Sequence, residues 1–247
     1  MTRHLLVIGG QRCGTTYLSS LLDAHPQIAM ARPARPEPKV FSSDELTGRG
    51  LDWYEHAFFA HATTELVLGE KSTSYIEDPA AAGRAAATLG KADIFVLMRD
   101  PVLRAVSNWR FSTDNGLEQR PLGQALVDNL EGAAAWNPGT TSVSPFAYLE
   151  RGRFADFLPP WLAAFPSSVH LWFLADMVSD AGAVAQMYDS MGVDPAFRPP
   201  GFGQPVNESS EPMPDLSPMV MTRLRDYFRD SDDELARLTG RPLPWSI

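Results

Sequence analysis

One stretch near the N-terminus limits what this chain can fold into: Leu5-Leu6-Val7-Ile8-Gly9-Gly10-Gln11-Arg12-Cys13-Gly14-Thr15-Thr16. Four consecutive apolar residues predict a buried strand. From Thr15 to Ala24, the stripe of Tyr17, Leu18, Leu21 and Leu22 predicts a helix. A glycine-bearing loop joins the two. Strand, loop and helix in this order make a cradle for an anion, because loop N–H groups and the unpaired N–H groups of the first helical turn point at one place. The helix dipole favours negative charge there. The helix stops at His25-Pro26, since proline disfavours helical geometry in the residue before it, and His25 reads as a helix-end residue.

The spacing Gly9-x4-Gly14 followed by Thr15-Thr16 departs at one position from the P-loop of nucleoside triphosphatases, G-x-x-x-x-G-K-[ST]. Thr15 stands where the lysine would be, and the nearest cation is Arg12, inside the loop. The motif therefore lacks the charge that reaches β- and γ-phosphates. An arginine with two hydroxyls suits a single terminal phosphate or a sulfate-bearing group. A P-loop kinase that phosphorylates a small molecule with Mg-ATP is the alternative reading.

Composition narrows the partners. A net charge of −9 argues against nucleic acid, whose phosphate backbone demands surplus Lys and Arg, yet allows a local basic pocket for a small anion. With 44% hydrophobic residues over 247 positions, the chain has enough apolar material for a sizeable core, and no linker or repeat divides it, so a single domain is expected over 1–247. The single cysteine, Cys13, excludes an internal disulfide and a cysteine metal cluster, and no sequence feature calls for a metal. No stretch approaches the roughly 20 apolar residues of a membrane span. The chain enters its first strand after Met1-Thr2-Arg3-His4 without a long apolar leader, so a soluble, cytoplasmic protein is expected.

Further along, Arg32-Pro33-Ala34-Arg35-Pro36-Glu37-Pro38-Lys39-Val40-Phe41 is forced onto an extended path by three prolines, and Pro-Glu-Pro fixes the backbone around one carboxylate. Gly50 to Phe59 reads as an amphipathic helix whose aromatics suit a core or pocket wall. Leu66-Val67-Leu68 predicts a short strand ahead of Glu70-Lys71-Ser72-Thr73, which puts Lys71 at a strand end, where open α/β sheets bind ligands. Asp78 reads as the cap of an alanine-rich helix, Pro79 to Leu89.

The second strong signal is Asp93-Ile94-Phe95-Val96-Leu97-Met98-Arg99-Asp100-Pro101: a buried strand with Arg99 at its tip, then a helix opened by Pro101 that carries Ser107 eight residues after Arg99. Arg104 on that helix reads as pointing elsewhere, equally well to the surface. Tyr148 and Arg151 lie in an aromatic-rich helical run, the strand Val169 to Leu174 follows, and helices are expected near 180–191 and 218–238.

The Arg12–Thr16 loop, Lys71 and the Arg99/Ser107 pair, in this order, resemble the sulfotransferases that use 3′-phosphoadenosine 5′-phosphosulfate (PAPS), in the branch that includes the heparan sulfate sulfotransferases and many bacterial relatives. The resemblance implies an α/β, P-loop-like three-layer fold, with a central mostly parallel sheet (strands near 5–8, 66–68, 94–98 and 169–174) flanked by helices. It implies that Gln11, Arg12, Cys13, Gly14, Thr15 and Thr16 hold the 5′-phosphate, and that Arg99 and Ser107 hold the 3′-phosphate. Lys71 would then contact the bridging oxygen or the sulfuryl group, and Arg12 would share the stabilisation of the developing charge. Glu37 matches the family's general base, with His56 and His61 as the other candidates, since the cytosolic branch uses histidine. Tyr148 and Arg151 would lie beneath the nucleotide, or pack in the core. In many relatives a C-terminal loop closes over the 3′-phosphate with basic residues. Here no Lys or Arg lies between Arg198 and Arg223, which leaves Asn207, Ser209 or Ser210 for that contact. The expected acceptor is a hydroxyl or amine of a carbohydrate, small molecule or natural product.

Overall fold

The structure is a computed structural model that describes residues 2–137, 143–204 and 215–246. In chain order the elements are β1 (Arg3–Gly9), α1 (Thr15–Ala24), β2 (Ile28–Met30), α2 (Asp44–Thr47), α3 (Gly50–Phe59), β3 (Val67–Lys71), α4 (Pro79–Leu89) and β4 (Ala92–Met98). Then come α5 (Pro101–Asp114), α6 (Leu122–Asp128), α7 (Phe154–Phe157), α8 (Pro159–Ala164), β5 (Val169–Phe173), α9 (Leu174–Ser179), α10 (Ala181–Ser190) and α11 (Pro218–Thr239). The chain falls into two compact units. One comprises Met1–Met98 with Phe157–Val206, the other Arg99–Asp156 with Asn207–Ile247.

The first unit holds a five-stranded, wholly parallel sheet in the order β2-β3-β1-β4-β5, flanked by helices, as the α/β expectation required. β1 and β4 are its central pair. Apart from exposed Arg3, every residue in both is buried, which fits their continuous apolar runs, because strands covered on both faces need no polar alternation. Leu5, Val7, Phe95 and Leu97 pack against Leu18, Leu21 and Leu22 of α1 and against Met187 and Tyr188 of α10. The capping reading of Asp78 holds: its carboxylate accepts from the Ala80 N–H at 3.0 Å.

Three elements depart from the sequence reading. The run holding Tyr148 and Arg151, read as helical, is turns and a single 3-10 turn over Glu150–Gly152 ahead of the four-residue α7. β2 has only three residues, too short for a recognisable period, and exists because its edge pairs with β3. The run expected to be strand to Leu174 ends at Phe173, where α9 begins.

The second unit is helical. Asp100 caps α5 by accepting from the Val102 and Leu103 N–H groups, and it pairs with Arg225 of α11 at 2.7 Å. Val102, Ala105 and Val106 of α5, Leu126 of α6, and Leu224 and Phe228 of α11 form its core, with Tyr148 and Leu149 among them. The segment proposed to close over a 3′-phosphate, including Asn207, Ser209 and Ser210, lies outside the described residues.

Candidate functional site

The loop after β1 shows why its glycines are there. A Cβ on Gly14 would stand 2.6 Å from Leu174 Cδ1, and its φ of +83° is one that L side chains rarely adopt. Gly14 is the N-cap of α1 and supplies no side-chain cap, so the first-turn N–H groups are left for a partner beyond the helix. Cys13 is buried, and its N–H donates to the Gly10 carbonyl at 3.2 Å, which closes the loop on itself. The Gly10 N–H donates to the Leu97 carbonyl of β4 at 2.8 Å, anchoring the loop to the sheet. Arg12 takes a left-handed φ of 64°, a strained conformation for a non-glycine residue and one that clusters at functional sites. Thr15 is buried and Thr16 half-buried. Gln11, Arg12, Gly14, Thr15 and Thr16 are thus gathered at the start of α1, while the Cys13 N–H is spent within the loop. A phosphate fits this donor set, which pairs a cation with the positive end of a ten-residue helix.

Strand register sets Lys71 beside this loop's origin: Lys71 is the partner of Val7, two residues before Gly9. Its ammonium donates to Glu37 Oε1 in a short ion pair. Glu37 Oε2 accepts from the Thr73 N–H at 3.0 Å and from the Thr73 hydroxyl at 3.2 Å. Two of the residues singled out in the sequence, 34 positions apart, therefore meet through their side chains. The carboxylate is half-buried and gripped from the end of β3, whereas His56 and His61 are both exposed. Thr73 was not anticipated; the hydroxyl-rich run Ser72-Thr73-Ser74-Tyr75 was its only signal in the sequence.

Behind the ion pair lies a second, buried carboxylate. Glu70 accepts from the Tyr54 hydroxyl at 2.7 Å, from Ser72 Oγ at 2.6 Å and from the Tyr75 hydroxyl at 2.7 Å. Burial pushes the Glu70 carboxyl up from its usual range, and the three hydroxyl donors pull it back only in part. The same burial, with Glu70 alongside, pushes the Tyr54 and Tyr75 phenols well above their ordinary value.

In the second unit Arg99 and Ser107 are both half-buried. Arg104, read as a residue that could face solvent, is instead fully buried and donates to the Asn108 side chain and the Tyr148 carbonyl. For Tyr148, read as either a nucleotide contact or a core residue, the structure shows core packing. It is fully buried and its hydroxyl donates to Glu118 Oε2 at 2.9 Å, so here it packs the core. Arg151 likewise is buried and donates to the Ser144 carbonyl at 2.8 Å.

The first unit is thus a parallel α/β sheet whose central strand runs into a glycine-bearing loop and a helix N-terminus, with a carboxylate–lysine pair at the neighbouring strand end. Residues 2–182 match the sulfotransferase domain family, and the chain belongs to that family of enzymes. It is 26% identical over 97% of its length to the heparan sulfate glucosamine 3-O-sulfotransferase 3B1 of Mus musculus, and spans 64% of that protein. A bifunctional heparan sulfate N-deacetylase/N-sulfotransferase 1 of Caenorhabditis briggsae is 36% identical over 65% of this chain, covering 19% of the relative. A crystal structure of a sulfotransferase from Alicyclobacillus acidocaldarius shares the fold, with a TM-score of 0.78, 22% identity and 98% of each chain aligned. Among the described residues, no helix is long and apolar enough to cross a membrane, and no cluster of three or more His, Cys, Asp or Glu is placed to hold a metal ion.

Proposed function

We propose that the chain transfers the sulfuryl group of PAPS to an acceptor hydroxyl or amine, with a carbohydrate as the favoured acceptor class. The observation that carries this reading is the Glu37 carboxylate held by Lys71 and Thr73 at the end of β3, in register with the strand that feeds the anion loop. Family membership supports sulfuryl transfer. The heparan sulfate substrate in the relatives' names supports a carbohydrate.

In this reading the donor supplies an activated sulfate whose leaving group is a phosphate. Glu37 takes the proton of the acceptor hydroxyl as the new O–S bond forms. Lys71 has three N–H groups; one holds Glu37, and the others are available to the negative charge that builds as the S–O bond to phosphate breaks. Arg12 and the first-turn N–H groups of α1 hold the 5′-phosphate, and the Arg99 guanidinium with the Ser107 hydroxyl is assigned the 3′-phosphate. A metal has no part in this scheme.

Calorimetric titration with 3′,5′-adenosine bisphosphate (PAP), ADP and ATP, each with and without magnesium, tests the reading. Tight binding of PAP that ignores magnesium is expected. A preference for magnesium-ATP would instead point to phosphoryl transfer and overturn the proposal.

A further inference from the structure

The segment 70–73 alternates in what it holds. Lys71 and Thr73 grip the Glu37 carboxylate, whereas Ser72 reaches the backbone that carries it and Glu70 in turn holds Ser72. Successive residues of an extended chain point to opposite sides, so one short stretch can serve both tasks.

The backbone side works through hydroxyls. The Lys39 N–H donates to Ser72 Oγ at 3.0 Å, and the Phe41 N–H donates to the Tyr75 hydroxyl at 3.1 Å. A backbone N–H can only donate, so both hydroxyls must accept from the chain, and the one proton of each is left for another partner. Both give it to the same atom, Glu70 Oε1, at 2.6 and 2.7 Å. The proton directions are therefore dictated: the 39–41 backbone hangs, through Ser72 and Tyr75, from one buried carboxylate oxygen.

The suspended stretch is stiff. Pro38 fixes its own φ and offers no N–H. Lys39 sits in the left-handed region at φ 51°, a conformation that surrounding bonds must hold in place. Val40 and Phe41 are buried and lock the far end. Glu37 directly precedes this strap, so its carboxylate has little freedom once the strap is fixed.

We propose that Glu70 is a positioning residue, which through Ser72 and Tyr75 holds the 38–41 strap and thereby aims the Glu37 carboxylate. The inference rests on the reading of Glu37 as the base.

Its test is a double-mutant cycle that combines Tyr75→Phe with Glu37→Gln, repeated with Ser72→Ala in case Tyr75→Phe fails to fold. Sulfuryl transfer from PAPS is followed with heparan sulfate as the acceptor probe, alongside PAP affinity and amide hydrogen exchange at Lys39 and Phe41. Tyr75→Phe is expected to speed exchange at Phe41 at least tenfold and to lower kcat by roughly tenfold or more, since small misalignments of a reacting group are costly. PAP affinity stays within about twofold, and the kcat loss vanishes in the Glu37→Gln background. Ser72→Ala does the same through Lys39. Tyr54→Phe, which removes the third Glu70 donor but no bond to the strap, lowers kcat by a smaller factor.

A large loss in Glu37→Gln with no kcat loss in Tyr75→Phe and Ser72→Ala would overturn the positioning role and leave the base reading standing. Equal losses from Tyr75→Phe in both backgrounds would do the same. Full activity in Glu37→Gln would remove the base reading, and this inference with it. Unchanged exchange at Lys39 and Phe41 in the hydroxyl variants overturns the proposal whatever the probe's turnover.

Discussion

Glu70 in the first unit and Glu118 in the second are both buried glutamates bonded to a tyrosine hydroxyl, yet their surroundings treat the charge in opposite ways. Glu70 has only neutral donors, the hydroxyls of Tyr54, Ser72 and Tyr75, and burial wins, so its carboxyl is pushed upward. Burial also acts to raise Glu118, but the Arg120 guanidinium at 2.7 Å, two backbone N–H groups and the Tyr148 hydroxyl outweigh it and hold the group down at about 2. A guanidinium brings a compensating charge; a hydroxyl brings only a dipole. The neutral shell suits a hub that directs hydroxyl protons, and the charged shell suits a staple between the start of α6 and the 148 segment.

The largest effect should come from the carboxylate that Glu70 helps to aim. Glu37→Gln lowers kcat by roughly 10²–10⁴-fold, the usual contribution of a general base, while calorimetry finds PAP affinity near that of the unaltered protein. Parallel losses of turnover and affinity would make Glu37 structural and break the comparison at its functional end.

Next in size is the staple. Glu118→Ala leaves Arg120 and the buried Tyr148 hydroxyl without their shared acceptor, and urea unfolding should show a loss of about 1–3 kcal/mol. The two carboxylates should also answer to pH with opposite signs. Glu118 has a folded value below its ordinary 4.5, so its stabilisation is present above 4.5 and is lost as pH falls towards about 2. Glu70 has a folded value above 4.5, so the fold retains its proton longer than the unfolded chain does, and stability declines as pH rises above 4.5. Thermal melts across pH should show Glu118→Gln flattening the acid limb and Glu70→Gln flattening the upper one. The smallest effect belongs to Tyr148→Phe, with a stability loss of about 1 kcal/mol and no change in PAP affinity. A clear drop in PAP affinity would restore Tyr148 as a nucleotide contact.

Long apolar runs made the sheet legible. β1 and β4 declare themselves because strands covered on both faces must be apolar at every position, and α4 because Asp78-Pro79 is a start signal that works locally. β2 was not legible, since three residues have no period and their strand state comes from pairing with β3. In the site, Arg12, Gly14, Glu37 and Lys71 were visible as residue types at telling positions, whereas Thr73 and Glu70 stood in view without a role. Arg104 misled because helical spacing places a residue on a face without saying what covers that face; in the second unit that cover includes the Tyr148 carbonyl.

By itself the sequence determined the elements whose causes are local: the strand–loop–helix cradle, the proline-stiffened strap, the caps, and the family to which their order belongs. Tertiary structure alone decided which carboxylate meets which cation and which hydroxyl proton goes where. Glu37 and Lys71 are 34 residues apart, and Phe41 hangs from Tyr75 across the same interval. Hydrogen bonds act over about 3 Å, so only the folded sheet, by laying β2 beside β3, can say which distant groups come within reach.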